Sequence, residues 1–160
     1  MEIENKKEAA RKKSLGELGE LFAIKALVDN KFDRIRNLND KLMNETFADI
    51  ECEKDGKKYI VSVKARNKYQ KNGKVNTRYN LGREVYTKAL MAEKKYNAIA
   101  HWMAIQFDKN SFSIYFGSLE ELQGSKAIPI DKCEKKLIGE TWEYNKRHFF
   151  DFDYYTNQKK

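Results

Sequence analysis

The spacing of apolar residues changes period along the chain. From about Ser14 to Val28 it is helical, with Leu15, Leu18, Phe22 and Ala26 on one side of the wheel and Ala23, Ile24 and Leu27 on another. That pattern predicts a helix buried on most of its faces. Ser14-Leu15-Gly16-Glu17 reads as a capping box at its start, although the Lys/Glu/Ala-rich stretch before it is equally compatible with helix. A short segment, Phe32 to Asn37, follows. Two runs then alternate with period two, Phe47–Glu53 and Lys58–Arg66, around Lys54-Asp55-Gly56-Lys57. Asp-Gly between such runs predicts a two-residue hairpin turn. Counting back from it, Lys54 opposes Lys57, Cys52 opposes Tyr59, Ile50 opposes Val61 and Asp49 opposes Ser62. Alternation then places Ala48, Ile50, Cys52, Tyr59, Val61 and Val63 on one face, and Asp49, Ser62 and Lys64 on the other.

Residues 67–81 are polar and basic and read as a loop or small excursion. A second helix is expected over about 82–96, with Leu81, Val85, Ala89, Ala92 and Tyr96 at helical spacing. Residues 97–107 are nearly all apolar, as in a strand buried on both faces. A turn at 108–110 leads into a further strand over 111–116, and a short helix starts at Ser118. The order α-β-β-β-α-β-β predicts an α/β domain, a mixed sheet flanked by helices in which the second helix crosses over between two parallel strands.

At 160 residues the chain fits one domain, 1–160, with a core of about 14–117 and residues 118–160 an unplaced extension. It is 41% hydrophobic and 35% charged, enough apolar matter for a core. No stretch approaches a membrane span, and the first residues lack the apolar region of a signal peptide. Cys52 and Cys133 stand alone, so neither a disulfide framework nor a zinc cluster is expected. With only two histidines, His101 and His148, a His-rich metal site is not expected either. A reduced, cytoplasmic protein is the expectation.

Charge narrows the function. The chain carries a net +8, and between Lys57 and Lys95 lie 12 basic residues and two acidic ones, which leaves the remainder near neutral. A localised basic segment is the footprint of a polyanion binder; the plainer alternative is a solvated lysine-rich surface. Arg66, Lys68, Lys71, Lys74, Arg78 and Arg83 are the candidate nucleic-acid contacts, with Tyr69 and Tyr79 able to stack on bases or pack locally.

Phosphodiester hydrolysis needs a hard cation held by a few oxygens and a group that activates or orients water. The hairpin brings Asp49 and Lys64 to one face. Glu20 lies among Ala23, Ile24 and Leu27 on the first helix, where a solvated glutamate does not belong, so it is expected to be paired or metal-bound. Glu17 is its rival but has a capping role. A cross-strand Asp49–Lys64 ion pair of purely structural value is the simpler account.

Gly19-Glu20-Leu-Phe-Ala, Asn37, Phe47-Ala-Asp49-Ile and Val61-Ser62-Val63-Lys64-Ala-Arg66 together resemble the PD-(D/E)XK nuclease superfamily over about residues 15–107. The archaeal-type Holliday junction resolvases and their small bacterial relatives are the nearest in character. The resemblance implies a restriction-endonuclease-like fold, Mg²⁺ (or Mn²⁺) held by Glu20, Asp49 and the Val63 carbonyl, Lys64 at the water, a DNA substrate (branched or duplex), and a homodimer. Ser62 departs from the family, which has Asp or Glu there. Three accounts follow: Glu20 and Asp49 suffice, with Ser62 or water in the third place; Glu51 reaches in as a displaced carboxylate; or the site is silent and the fold only binds. The expected function is metal-dependent DNA cleavage. The alternatives are an inactive nucleic-acid-binding module, or a protein-binding partner of immunity type.

Overall fold

The computed structural model of the protein describes residues 2–41, 47–109 and 111–132. Its centre is the hairpin of β2 (Ile50–Lys54) and β3 (Lys57–Asn67), joined by Asp55 and Gly56, whose φ values of 52° and 79° are those of the turn that Asp-Gly favours. The pairs Ile50–Val61 and Lys54–Lys57 follow the register counted from that turn. β1 (Asp33–Asn37) adds antiparallel to β2. On the other side β3 pairs in parallel with β5 (Ile99–Phe107), and β5 pairs antiparallel with β6 (Phe112–Ser118). The sheet order is β1-β2-β3-β5-β6, and α2 (Val85–Tyr96) makes the crossover between the parallel strands.

One face of the sheet (Ile50, Cys52, Val61, Ala65, Met103, Ile105, Phe107) packs on α1 (Glu2–Asp29) through Leu15, Leu18, Phe22, Ala23, Ala26 and Leu27. The other (Ile60, Ala100, Trp102, Ala104) packs on Val85, Ala89, Ala92 and Tyr96 of α2. The central strands β3 and β5 are apolar on both faces because each face is covered by a helix. Cys52 is buried on the α1 face, where burial first, then Glu51, Asp33 and Glu53, pushes its thiol up to about 12, so it is an inert packing residue.

Five expectations are corrected. Helix α1 starts at Glu2, so Ser14 and Glu17 lie inside it and form no capping box. It is buried along one stripe, not most faces: Leu21 and Val28 are 62% and 55% exposed. Residues 67–81 are not wholly loop, because β4 (Arg78–Asn80) pairs with β7 (Ala127–Pro129) in a second small sheet, and Tyr79 is buried beneath it instead of being offered to a base. Residues 118–132 are therefore part of the folded unit, with a single 3₁₀ turn at Glu120–Leu122 where a helix was expected. Cys133, Trp142, His148 and the aromatic C-terminal stretch lie outside the described residues.

The fifth correction is at Ala48. It packs with Ile60 and Trp102, on the α2 face, and not with Ile50. The Asp49 N–H donates to the Val61 carbonyl (2.9 Å), although Val61 is already the partner of Ile50. Two residues of one strand facing one of the other is a β-bulge, and it moves everything before it to the opposite face.

Helix α1 reaches the sheet at Gly19. A Cβ there would lie 2.5 Å from the Cβ of Ala65. Gly19→Ala is therefore expected to cost about 2 kcal/mol, as overpacking outweighs a propensity gain of about 1 kcal/mol. Ala65→Gly in the same chain should recover most of that. Urea unfolding of the single and double variants measures it, and an unchanged midpoint for Gly19→Ala would overturn the close approach.

Candidate active site

Glu20 is half-buried one residue past that contact. Its two carboxylate oxygens face two asparagines at the end of β1. Asn39 Nδ2 donates to Glu20 Oε1 (2.6 Å), and Asn37 Nδ2 donates to Glu20 Oε2 (3.3 Å). The same Asn39 amide donates to Asp49 Oδ1 (3.0 Å), so one NH₂ group bridges carboxylates from the helix and from the bulge. Asn37 holds Asn39 in place, its Oδ1 accepting the Asn39 backbone N–H (2.9 Å) within the 3₁₀ turn Leu38–Lys41. The Leu38 N–H to Asp49 carbonyl bond (2.8 Å) ties that turn to the bulge.

The bulge aims Asp49. Its Oδ2 accepts the Val63 backbone N–H (2.7 Å) instead of meeting the Lys64 ammonium, so the carboxylate is held by backbone and amide and not by the alternative of a cross-strand ion pair. An extended residue points its N–H and C=O to the same strand edge, so the Val63 carbonyl faces the Asp49 side. Lys64 is half-buried on the α2 face, beside Lys88. Burial lowers its pKa; Asp49 opposes that, and Arg66 and Lys88 reinforce it. A lysine held in this way gives up its proton more readily than a solvated one.

Ser62 is 4% exposed, on the same face as Lys64 and level with Trp102 of β5. The bulge removes the direct Asp49–Ser62 pairing that simple counting implies. Glu51 pairs with Arg36, its register partner in β1, at 2.5 Å. Glu17 is exposed on α1. Among the described residues no group of three or more His, Cys, Asp or Glu side chains could hold a metal ion. His101 sits between Tyr59 and Phe116, ring centroids 4.8 and 4.9 Å away, as a packing residue.

The basic segment does not form one surface. Lys57 and Lys58 start β3, and Lys94 and Lys95 end α2 just before β5 begins, so all four lie at one end of the sheet. Arg66, Lys68 and the exposed Lys71 and Lys74 lie at the other, beyond Lys64. Arg78 and Arg83 are exposed before α2. Lys68 is partly engaged, 3.6 Å from Asp108 and over the Tyr69 ring. Arg11 and Lys12 of α1 join this end, because α1 runs antiparallel to β3. Sequence reasoning missed them, and also Asn39; a helical Arg-Lys pair and a lone asparagine give no signal of their own.

No family model and no curated protein matches the chain. Among solved structures, it is similar to the Holliday junction resolvase Hjc of the archaeal hyperthermophile Archaeoglobus fulgidus. The TM-score is 0.52 at 13% identity, over 72% of this chain and 89% of the resolvase. The chain thus shares with that resolvase a mixed sheet flanked by helices, the restriction-endonuclease-like α/β fold.

Proposed function

We propose that the chain is a divalent-metal-dependent nuclease acting on DNA. The supporting observation is the pair of carboxylates, Glu20 and Asp49, drawn from separate elements onto the single Asn39 amide beside a half-buried lysine. The partial positive charge of that NH₂ sits between two oxygens that would otherwise repel. A hard cation suits the same place: Mg²⁺ is commonly bound by one or two carboxylates and keeps several waters. Glu20, Asp49 and the Val63 carbonyl would hold Mg²⁺ or Mn²⁺. Such an ion offsets charge as the phosphodiester is attacked. Asn37 and Asn39 orient the carboxylates, Asp49 is fixed by the Val63 N–H, and Lys64 orients the attacking water. The fold shared with a resolvase agrees with this reading. The lack, among the described residues, of a third acidic side chain favours a second one, a module that binds nucleic acid without cutting.

Incubating the purified protein with branched, duplex and single-stranded DNA, with and without Mg²⁺ or Mn²⁺, separates the two. Metal-dependent products support the nuclease; retention of DNA without cleavage in any metal supports the module.

Ser62 offers a further check. A carboxylate at this buried position is costly without a partner, on the order of a few kcal/mol, and useful with a cation. Ser62→Asp is expected to melt below wild type in EDTA and to show the larger Mn²⁺-induced rise in melting temperature. Equal rises in both proteins would remove Ser62 from the site.

The two-ended charge distribution predicts which lysines meet phosphate. Replacing Lys12, Lys71 and Lys74 with Gln should flatten the log–log salt dependence of DNA affinity by about one unit for each phosphate that is no longer neutralised. The same change at Lys57, Lys58, Lys94 and Lys95 should leave the slope as it was. Equal slopes for the two variants would refute the assignment.

A further inference from the structure

Beyond the carboxylate site, a cavity of about 440 Å³ opens between the N-terminal half of α1 and the turn that follows β3. Arg11, Lys12 and Gly16 line one side; Asn67, Tyr69 and Lys71 line the other. Two of these residues carry buried polar atoms with no hydrogen-bond partner, Arg11 Nη1 and Asn67 Oδ1. Arg11 spends its Nε and Nη2 on the Glu8 carboxylate (3.1 and 2.6 Å), which leaves Nη1 as the unmet donor. Buried polar groups are nearly always paired, so a donor and an acceptor left unmet at one cavity indicate a partner from outside the chain.

That partner must accept from a guanidinium, donate to an amide oxygen, and suit cations at the rim. It also meets a partly exposed tyrosine ring, Tyr69, whose Lys68 neighbour lies 5.6 Å from the ring centroid. A bare phosphate accepts but leaves Asn67 unmet. A nucleotide does all four: its base edge carries donors and acceptors, its face stacks, and its phosphate is anionic. The position agrees. Ala65, Arg66 and Asn67 continue β3 directly from Lys64, so the cavity lies about 3–10 Å along the strand from it, at roughly 3.3 Å per residue.

We propose that this cavity receives one unstacked base of a single-stranded segment whose backbone runs on past the carboxylate site. This rests on the nucleic-acid part of the reading above and not on its chemistry. Gly16 is the means of testing it. It is exposed, and a Cβ there would meet nothing within 4 Å, so a larger side chain projects into open space at the cavity while favouring the helix.

The experiment compares binding, in EDTA, of a fluorescent hexamer of deoxyadenosine with an abasic chain of the same length and charge. Wild type is expected to prefer the base-bearing chain about tenfold, the scale of one base–aromatic stack. Gly16→Leu should bring the two affinities within about twofold while keeping wild-type affinity for the abasic chain. Tyr69→Ala, at a partly exposed position, should lower the preference without filling the cavity. Equal wild-type affinities, no binding of either chain, or a full preference retained in Gly16→Leu overturns the proposal. Because no metal is present, the outcome is separable from cleavage. Base preference in a protein that never cuts leaves this proposal standing and removes the nuclease, and cutting without base preference does the reverse.

Discussion

Glu20→Gln and Asp49→Asn are each expected to lower metal-dependent DNA cleavage about a thousandfold, matching the several kcal/mol a divalent ion supplies to such a reaction. Each change removes a unit of negative charge and keeps the side-chain shape. The stability cost should be small, about 1 kcal/mol. Gln at 20 can keep the Asn39 bond on its one oxygen but turns its NH₂ to Asn37, and Asn at 49 can keep the Val63 N–H bond but turns its NH₂ to Asn39, so each variant gives up one hydrogen bond made in the structure. Removing one of two neighbouring carboxylates also relieves their repulsion. Calorimetric titration with Mn²⁺ should show binding lost in both variants, with melting temperatures close to wild type in EDTA. Glu17→Gln, on the exposed side of α1, should cut at the wild-type rate. Wild-type cleavage by Glu20→Gln together with an inactive Glu17→Gln would transfer the role to Glu17.

The parts of this site that the sequence discloses are those fixed by local chemistry. Asp55-Gly56 determines the turn, the turn determines the register, and the register brings the Asp49 region against Val61 to Lys64. Glu20 is conspicuous because a carboxylate among apolar helix positions demands a partner. What escapes is set by tertiary context. The bulge at Asp49 has no residue signature, yet it decides that Ala48 changes face and that the carboxylate meets the Val63 N–H. A Ser three residues before a Glu is a cap only if the helix starts there, and here the helix has begun 12 residues earlier, at Glu2 against Ser14. The basic run from 57 to 95 is continuous in sequence, but β3 and α2 traverse the whole sheet and carry their lysines to both ends of it. Conversely Arg11 and Lys12 are remote from that run in sequence and adjacent to its Lys71 end in space. β4 is three residues long and gains its reason to exist from β7, which no local pattern can supply.

Lys64→Met is expected to abolish cleavage while making the protein more stable, which separates a catalytic lysine from a structural one. A side chain positioned on the attacking water contributes about 10²–10⁴-fold, so loss on that scale is expected in either Mg²⁺ or Mn²⁺. Metal binding should survive, since Glu20 and Asp49 remain. Stability moves the other way because Lys64 is held with its charge half-buried and its oxygen neighbour Asp49 already committed to Val63 and Asn39. Methionine fills much the same volume without that charge, and a gain on the order of 1 kcal/mol at neutral pH is expected. The pH dependence carries a sign that no packing effect reproduces. The folded-state pKa of Lys64 lies below its ordinary value of 10.5, so between the two the unfolded chain binds more protons than the native one. The wild type therefore gains stability from this group as pH rises through that interval. The advantage of Lys64→Met should be greatest near pH 7 and shrink as pH approaches 10.5. Urea unfolding of both proteins at several pH values measures it. A variant less stable than wild type at neutral pH, with the deficit vanishing as the lysine loses its proton, would make Lys64 a structural cation paired with Asp49 and take it out of the chemistry.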